Sequence, residues 1–300
     1  MLRELRNLPA PAKLNLFLHV TGRRDDGYHL LETVFQFIDL ADSLDLCLRD
    51  DGVVRRIGPP DEITPQTDLT LRAAAALKSA TGCRLGVDIG LRKCIPIGAG
   101  LGGGSSDAAT VLIGLNRLWR LGLEQRDLIE VARPLGADVP VFVFGRNAYA
   151  TGIGDLLQPI DLPHRWFVLV TPPVSVATPG VFSDPKLTRN TKPITISGFS
   201  EQASTLAGRN DLQPVVLSRQ PAVRAALDAL QASVSALDGG AGHAAASSVR
   251  MTGSGACVFA ALQSLQRAQE VALRVLRHNV GRAQVVEGLA KHPLGSRQVG

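Results

Sequence analysis

The segment from Gly98 to Gly104, which we call the glycine loop, has the composition of a phosphate-binding loop. Five of its seven residues are glycine, and Ser105 and Ser106 follow it directly. Glycines let several backbone N–H groups converge on an anion without side chains in the way. A strand pattern precedes the loop and a helical pattern follows it, so the positive end of a helix and two hydroxyls add to the site. The segment predicts phosphate binding, with a structural turn as the alternative.

Two widespread phosphate-loop patterns fit the glycine loop only in part. Residues Gly98 to Gly103 satisfy G-x-G-x-x-G, but a dinucleotide site also needs an acidic residue about 20 residues further on, where this chain has Arg117 in a helical pattern. In the pattern G-x-x-x-x-G-K-[ST], Gly104 stands in the place of the lysine. The positive charge that neutralises a phosphate must therefore come from elsewhere in the chain.

Lys13, Asn15 and Asp138 are polar residues whose surroundings suit the rest of such chemistry. Phosphoryl transfer needs positioning, charge neutralisation and an acceptor for a hydroxyl proton. Lys13 and Asn15 lie two residues apart in an alternating apolar run, so they share one face of a predicted strand. Asp138 lies in Gly-Ala-Asp-Val-Pro, at a predicted junction of loop and strand. Local sequence alone favours a solvated strand end for Lys13 and a turn or cap role for Asp138.

The composition is that of a folded protein without a long basic or apolar tract. The chain has 300 residues, of which 45% are hydrophobic and 20% charged, enough for a full core and against a wholly disordered chain. The formal charge is +5, but no basic cluster stands out and aromatic residues make up only 4%, so we expect no nucleic-acid partner. No apolar run is long enough to predict a membrane span.

The cysteines and the N-terminal segment both predict a cytoplasmic protein. Four isolated cysteines without a CxxC pair are typical of reduced thiols. Lys13 and Asn15 interrupt the apolar part of the N-terminal segment, so we expect no signal peptide. The sequence leaves the oligomeric state open.

The elements that must position these residues alternate between strands and helices. In the first half we predict strands at residues 14–20, 34–38, 44–48, 85–91, 139–144 and 148–151. A polar turn at 41–43 is predicted to join the second and third of these strands. Helices are predicted at 68–79, with Asp68 as N-cap, from Ser105 or Ser106 onward, and at 123–133.

The second half is predicted to continue this alternation after a boundary. A stretch rich in Pro and Asp at 158–164 divides the chain into predicted domains at residues 1–160 and 161–300. The strands predicted beyond it are 166–170, 249–252 and 256–261, and the helices are 211–218, 221–232 and 264–277. Residues 184–200 are predicted as a polar loop and 232–248 as a mobile loop.

Three motifs, spread over most of the chain, resemble those of one kinase superfamily. The glycine loop and its flanks read P-x-G-x-G-L-G-G-G-S-S from Pro96 to Ser106. The other two motifs are 11–16 (PAKLNL) and the glycine-rich stretch 251–259 (MTGSGACVF). Together they resemble the superfamily named for galactokinase, homoserine kinase, mevalonate kinase and phosphomevalonate kinase. This resemblance implies an α+β fold of two domains, with mixed sheets covered by helices and the active site in the cleft between the domains.

Shorter segments are similar to one branch of that superfamily, which phosphorylates a CDP-linked methylerythritol in the non-mevalonate isoprenoid route. These segments are 22–29 (GRRDDGYH), 35–37, 135–140 (LGADVP), 184–185 and 189–190. The resemblance implies transfer of a phosphoryl group from ATP to a hydroxyl of that substrate. The alternatives are another small-molecule kinase of the homoserine or mevalonate kinase type, and a catalytically silent nucleotide-binding protein. A silent protein would be expected to lack Asp138 or Lys13, and this chain has both.

The resemblance also implies a role for each candidate residue. Asp138 is then the catalytic aspartate that receives or orients the hydroxyl proton, and Lys13 is its partner near the transferred group. The implied ATP-binding residues are Lys93, which flanks the adenine, and Pro96, Gly98, Gly100, Leu101, Gly102, Gly103, Gly104, Ser105 and Ser106. The implied substrate-binding residues are Asn15, Tyr28, His29, Phe182 and Asp138, with Tyr28 and Phe182 stacking on the cytosine.

Two points of the resemblance stay open. The related enzymes are expected to have Asn ahead of the Leu-x-x-Arg-Ala-Ala helix, in contact with adenosine, and this chain has Asp68 there. Mg²⁺ is expected as MgATP, with Ser105 or Ser106 as a candidate ligand and no acidic ligand identified.

Core burial is the alternative for Tyr28, His29 and Phe182.

Overall fold

Ten strands join into one hydrogen-bonded sheet in the computed structural model, which describes residues 2–58, 64, 67–194, 208–237 and 249–295. The strands are β1 (Glu4–Arg23), β2 (His29–Arg49), β3 (Val54–Ile57), β4 (Gly86–Arg92), β5 (Ala148–Thr151), β6 (Leu156–Pro159), β7 (Trp166–Thr171), β8 (Val249–Met251), β9 (Val258–Leu262) and β10 (Arg282–Leu289). Their order is β3-β4-β2-β10-β7-β9-β8; β1 pairs with β2, and β5 pairs with β2 and β6. The pair β3–β4 is parallel and the others are antiparallel, so the sheet is mixed.

Eight α-helices cover this sheet within the described residues. They are α1 (Leu69–Thr81), α2 (Gly103–Leu118), α3 (Gln125–Ala132), α4 (Val139–Phe144), α5 (Thr178–Phe182), α6 (Gln213–Arg219), α7 (Pro221–Ser235) and α8 (Leu265–Leu276). The predicted α+β class with a mixed sheet and covering helices is confirmed. The predicted N-cap of α1 is also confirmed, because the Asp68 carboxylate accepts a hydrogen bond from the Thr70 N–H at 2.8 Å.

Strand β1 links all three parts of the hydrophobic core. Leu8 and Ala10 belong to the cluster that packs under α1 and α2. Leu14 belongs to the central cluster, and Leu18 and Val20 belong to the cluster formed mainly by the second half. Because β1 is buried on both faces in this stretch, its polar residues are buried too and need hydrogen-bond partners inside the protein.

The predicted turn at 41–43 is wrong, because β2 runs without a break from His29 to Arg49. Asp42 suggested a turn, but its side chain is buried and has partners from a distant segment. Its carboxylate accepts the N–H groups of Cys94 at 2.5 Å and Ile95 at 2.8 Å, and it pairs with Lys93. A bulge in the pairing with β1, between Ile38 and Ala41, lets the strand bend instead of turning back.

The strand predicted at 139–144 is also wrong, because these residues form the short helix α4. A short run that is apolar throughout has no periodicity to separate a buried strand from a buried helix. Pro140 lies in the first turn of the helix, and Gly145 ends it with φ +70° and an N–H that donates to the Val141 carbonyl. Asp138 lies just before α4, and among the described residues its side chain makes no capping hydrogen bond.

The other predicted elements are found, most of them with small shifts, but the strand predicted at 14–20 is only the central part of β1, which runs from Glu4 to Arg23. Helix α2 begins at Gly103 instead of at Ser105 or Ser106. The sequence did not indicate β3, β6 or β10. Residues 184–194 contain no helix or strand, as predicted, and 195–200 lie outside the described residues. The segment 232–248 is helical at its start, since α7 ends at Ser235, and its residues 238–248 lie outside the described residues.

Strands from both halves of the chain meet in the sheet. Gly288 and Leu289 of β10 pair with Ile38 and Phe37 of β2. The division into domains at residue 160 stays a prediction. The fold brings together the middle of β1, the glycine loop and the motif at 251–259, which are far apart in the chain.

Candidate active site

A cavity of about 630 Å³ lies beside the glycine loop and has the size usual for a small-molecule site. The candidate residues that line it are Lys13, Asn15, Lys93, Pro96, Gly98, Gly100, Leu101, Gly102, Gly103, Gly104, Ser105, Asp138 and Phe182. Of the other candidates, Ser106, Tyr28 and His29 do not line this cavity within the described part of the chain. The structure thus brings most of the predicted site together around one opening.

Lys13 and Asp138 form an ion pair at the cavity, with Nζ 3.1 Å from Oδ2. The Lys13 side chain is only 3% exposed, whereas that of Asp138 is 36% exposed. Nζ also donates to Oδ1 of Asn15 at 2.6 Å and to the Gly100 carbonyl at 3.2 Å. The lysine is therefore fixed by three acceptors. The interpretation favoured by local sequence, in which Lys13 is solvated at the end of a strand, is wrong. The carboxylate of Asp138 stays open to the cavity.

Asn15 orients Lys13 in this structure. Its Oδ1 accepts from Lys13, and its Nδ2 donates to Oγ1 of Thr33 at 2.9 Å. Its backbone N–H donates to Oγ1 of Thr252 at 2.9 Å, which fixes this part of β1 to the C-terminal glycine motif. Both polar atoms of the side chain thus have protein partners, and contact with the substrate stays a prediction.

The glycine loop packs with its backbone against the motif at 251–259. Gly100 and Gly102 have φ values of +75° and +73°, which L side chains rarely adopt. A Cβ atom at Gly100 would lie 2.4 Å from the Thr252 carbonyl oxygen, and one at Gly102 would lie 3.0 Å from Cε of Lys13. The Lys13 N–H also donates to the Leu101 carbonyl at 3.0 Å. These glycines therefore permit close approach of the loop to the Lys13 strand as well as to an anion.

The two serines after the loop have different surroundings. Ser105 lines the cavity at the first turn of α2, where backbone N–H groups and the helix dipole favour an anion. Ser106 is completely buried, and its Oγ has no hydrogen-bond partner among the described residues. Of the two candidates, Ser105 is the one whose hydroxyl can reach a ligand in the cavity.

Lys93 is held between two buried carboxylates. Its Nζ pairs with Asp42 and with Asp107, the latter at 2.8 Å. Burial raises the pKa of Asp107 to about 7, against the opposing effect of the Lys93 charge. Burial alone would lower the pKa of Lys93, but the two carboxylates outweigh it and raise that pKa. Neither acidic partner is evident from the sequence, because Asp107 lies in the helical pattern and Asp42 lies in a segment typical of a turn.

Asp68, where an asparagine was expected, already has partners for both carboxylate oxygens. Oδ1 accepts from Thr70, and Oδ2 pairs with Nη1 of Arg56 at 2.7 Å. The residue lines the cavity together with Leu69. Its position beside the same cavity as the glycine loop is the one that the resemblance implies for a residue near adenosine, while the contact with adenosine stays open.

Tyr28, His29 and Phe182, which we call the base pocket, lie where β1 turns into β2 and at the end of α5. Phe182 lines the cavity, and its ring centroid is 5.1 Å from that of His29. Tyr28 is 61% exposed, so core burial is excluded for it. The exposed Tyr28 ring and the Phe182 ring at the cavity are each available for stacking on a planar ligand. The structure adds Arg189, whose Nε–H donates to Nε2 of His29 at 3.0 Å.

The arrangement joins the parts that phosphoryl transfer to an alcohol requires. A glycine loop and the start of α2 supply N–H groups for phosphate, and a buried ammonium supplies positive charge. A half-exposed carboxylate next to that ammonium can accept or orient a hydroxyl proton. Among the residues that the structure describes, there is no cluster of three His, Cys, Asp or Glu side chains that could hold a metal ion. In the same residues, we find no helix with the length and apolarity needed to cross a membrane.

Two family profiles match the chain. The profile described as the N-terminal domain of GHMP kinases matches residues 68–146, which include the glycine loop and Asp138. The profile described as the C-terminal part of GHMP kinases matches residues 198–281. The chain therefore belongs to the GHMP kinases, the superfamily whose motifs the sequence resembles.

Curated relatives at about half identity specify the branch. A 4-diphosphocytidyl-2-C-methyl-D-erythritol kinase of Cupriavidus metallidurans is 49% identical over 294 residues, which cover 98% of this chain and 96% of the relative. The kinase of the same name from Burkholderia ambifaria is 50% identical over 298 residues, with 97% of both chains covered. Within the superfamily, the chain thus belongs to the family of the 4-diphosphocytidyl-2-C-methyl-D-erythritol kinases and is a phosphotransferase.

Solved structures agree with this assignment. A crystal structure of a 4-(cytidine 5'-diphospho)-2C-methyl-D-erythritol kinase is 33% identical and has a TM-score of 0.75, covering 95% of this chain and 98% of that one. Homoserine kinase from Cytophaga hutchinsonii has a TM-score of 0.69 at 19% identity, with 97% of this chain and 96% of that one covered. The second likeness concerns the fold alone.

Proposed function

We propose that this chain transfers the γ-phosphoryl group of ATP to a hydroxyl of 4-diphosphocytidyl-2-C-methyl-D-erythritol, a step of the non-mevalonate isoprenoid route. The observation that carries the proposal is the Lys13–Asp138 ion pair, which faces the same cavity as the glycine loop. Relatives at about half identity carry the name of that kinase, which supports this substrate. ATP is the co-substrate of the family, and Mg²⁺ enters as part of MgATP. We assign the reaction to the cytoplasm.

In the reaction, the hydroxyl oxygen of the substrate forms a bond to the γ-phosphorus, and the bond from that phosphorus to the β–γ bridging oxygen breaks. ADP leaves, and the hydroxyl proton passes to Oδ2 or Oδ1 of Asp138. In a loose transition state the proton departs late, so the main task of Asp138 is to orient the hydroxyl. Lys13 supplies positive charge next to the group in transfer, and Asn15 and the Gly100 carbonyl keep its Nζ in place.

The phosphates and the reacting hydroxyl would lie in the cavity, and the base would lie beyond its Phe182 side, because Tyr28 and His29 are outside the cavity lining. The ATP phosphates lie on the backbone N–H groups of the glycine loop and α2, with Ser105 in reach. The cytosine stacks in the base pocket, with Tyr28 and Phe182 supplying the ring faces. Lys93 borders the nucleotide side of the cavity, where Asp42 and Asp107 restrict its movement. The hydroxyl to be phosphorylated then lies between the two ligands, next to Asp138.

The test is a measurement of ADP release by the purified chain with ATP and each of three acceptors, and with ATP alone as a control. The acceptors are the CDP-linked methylerythritol, homoserine and mevalonate. Turnover with the CDP-linked substrate alone is expected. Equal or faster turnover with homoserine or mevalonate would reject the proposed substrate, and no turnover with any acceptor would reject the proposed activity.

A further inference from the structure

Arg189 connects two parts of the base pocket and lies 160 residues from His29 in the chain. Its Nε–H donates to Nε2 of His29 at 3.0 Å. One of its Nη atoms donates to the carbonyl oxygens of Phe182 at 2.9 Å and Asp184 at 2.8 Å, and the other donates to that of Leu187 at 3.0 Å. One guanidinium therefore holds the histidine of the hairpin and the turn after α5 in a single unit.

This contact determines which nitrogen of His29 carries the proton. A guanidinium is always protonated and only donates hydrogen bonds, so the ring nitrogen that faces it must be an acceptor. Because Nε2 accepts from Arg189, the proton of the neutral ring lies on Nδ1. Burial lowers the pKa of His29, and the charges of Arg189 and Arg23 lower it further, so the ring is neutral near pH 7. This assignment follows from hydrogen-bond geometry.

We propose that Arg189 is a positioning residue for recognition of the base, because it fixes the His29 ring next to Phe182 with Nδ1–H as its donor. The inference rests on the proposed function, since it takes the ligand of the base pocket to be a cytosine. Among the described residues, Nδ1 of His29 has no hydrogen-bond partner. O2 is an acceptor in both cytosine and uracil, but N3 is an acceptor in cytosine and an N–H donor in uracil, so a fixed donor that meets N3 favours cytosine.

The geometry requires arginine at this position. The guanidinium is a planar fork whose donors point to an imidazole on one edge and to three carbonyl oxygens on the others. A lysine at position 189 keeps the positive charge but has a single nitrogen, which cannot reach the ring and the turn at once. Arg189→Lys therefore separates the positioning role from the effect of charge.

A matched control is available in Arg219, which supports the same turn without touching His29. Its Nη1 donates to the Gly180 carbonyl at 3.1 Å, and its Nη2 pairs with the Asp184 carboxylate. Arg219→Lys thus disturbs the support of α5 and of the turn after it to a similar extent. None of the described contacts of Arg219 involves the ring of His29 or of Phe182.

The first experiment is a ¹⁵N NMR measurement of the histidine ring nitrogens in the full chain, free and with cytidine 5'-diphosphate as probe. The His29 signal is assigned by its loss in His29→Asn. We expect a protonated Nδ1 and an unprotonated Nε2 in the wild type, and a mixture of tautomers in Arg189→Lys. A wild-type ring with its proton on Nε2 would overturn the proposal, whatever the substrate of the enzyme.

The second experiment compares the kinetics of Arg189→Lys and Arg219→Lys, with thermal unfolding as a check of the fold. We expect Arg189→Lys to raise KM for the CDP-linked substrate up to about tenfold, which corresponds to the loss of one hydrogen bond between the neutral His29 ring and the base. KM for ATP is expected to stay within about twofold. Arg219→Lys is expected to leave both KM values within the same limit. Equal increases in the two variants, or equal effects on both substrates, would overturn the positioning role. A wild type inactive with the CDP-linked substrate would reject the proposed function, and the tautomer measurement would still decide the assignment of His29.

Discussion

Replacement of Asp138 by Asn tests the catalytic pair directly. Asn has nearly the same shape, but it cannot take up a proton and carries no charge to pair with Lys13. After the change, Nζ of Lys13 keeps two neutral acceptors, Oδ1 of Asn15 at 2.6 Å and the Gly100 carbonyl at 3.2 Å. The Asp138 side chain is 36% exposed, so water enters on its side of the pair, but Lys13 is only 3% exposed and loses its counter-ion. Some loss of stability is therefore expected, and thermal unfolding is measured beside the kinetics. The fold is expected to persist, because these two acceptors still hold Nζ.

The expected loss of kcat is set by what the carboxylate does for the reacting hydroxyl. Contributions of a general base are about 10²–10⁴ in rate. This range equals roughly 2.7–5.5 kcal/mol of transition-state stabilisation, at about 1.36 kcal/mol for each factor of ten. Because an aspartate is a weak base, much of the loss reflects poorer orientation of the hydroxyl. The interaction is strongest in the transition state, so KM for ATP and for the acceptor should change little.

The assay is steady-state ADP release with each substrate varied in turn. Asp88→Asn is a suitable control, because Asp88 also pairs with cations, Arg49 and Arg55, but lies on β4 outside the cavity lining. The control should retain wild-type kcat. If Asp138→Asn keeps more than about a tenth of wild-type kcat, the factor lies below the range for a base, and the catalytic assignment of Asp138 is wrong.

A double variant tests whether Lys13 and Asp138 act together. Lys13→Met alone should also lower kcat, since it removes the positive charge next to the transferred group. The combination with Asp138→Asn should lose much less than the product of the two single effects, as is usual for residues that act as a unit. Independent, multiplicative losses would show that the 3.1 Å ion pair is not the functional unit.

Three further predictions concern the glycine loop, the base pocket and the buried Asp107. Gly102→Val should weaken ATP binding strongly in a folded protein. A Cβ atom at this position would lie 3.0 Å from both Cε of Lys13 and Cζ of Phe142, and the backbone has a φ of +73°. An unchanged ATP affinity, measured by calorimetry, would show that the loop is not part of the site. Tyr28→Ala should lose about 1–3 kcal/mol of binding for the CDP-linked substrate with ATP affinity unchanged, and equal losses for both ligands would contradict stacking. The pKa of Asp107 is raised to about 7, so the folded state holds a proton that the unfolded chain releases near pH 4. The stability of the wild type relative to Asp107→Asn should therefore fall as the pH rises from about 4 to 7. Urea midpoints of the two proteins that differ by a constant amount over this range would contradict the prediction.

The sequence was sufficient for the parts of the site that lie in short, unusual motifs. The glycine loop could be found because five glycines between a strand and a helix have few structural uses. Lys13 and Asp138 could be identified only through the resemblance, since local sequence favoured a solvated strand end and a turn. Their 3.1 Å contact joins residues that are far apart in the chain, and no local pattern encodes it.

The errors of the sequence analysis share one physical cause, which is that the deciding partners are distant. Asp42 indicated a turn by its own propensity, but Cys94 and Ile95 supply N–H groups that make a buried aspartate stable within a strand. The run from Val139 to Phe144 is rich in strand-forming residues, but it packs as a helix against α2 and α3 instead of joining the sheet. Arg189 belonged to a recognised motif, but only the structure shows that it contacts His29.

The attachment of β1 to the C-terminal glycine motif has a consequence for the order in which the protein is made. The backbone N–H of Asn15, whose side chain orients Lys13, donates to the hydroxyl of Thr252, 237 residues further along the chain. Arg250, directly before the motif, donates to the Leu16 carbonyl. At about 5–20 residues per second, a ribosome needs roughly 10 to 50 s to synthesise the chain between these partners. The first strand of a nascent chain therefore leaves the ribosome long before the contacts that complete its active site exist, and phosphoryl transfer can begin only when synthesis has passed that motif.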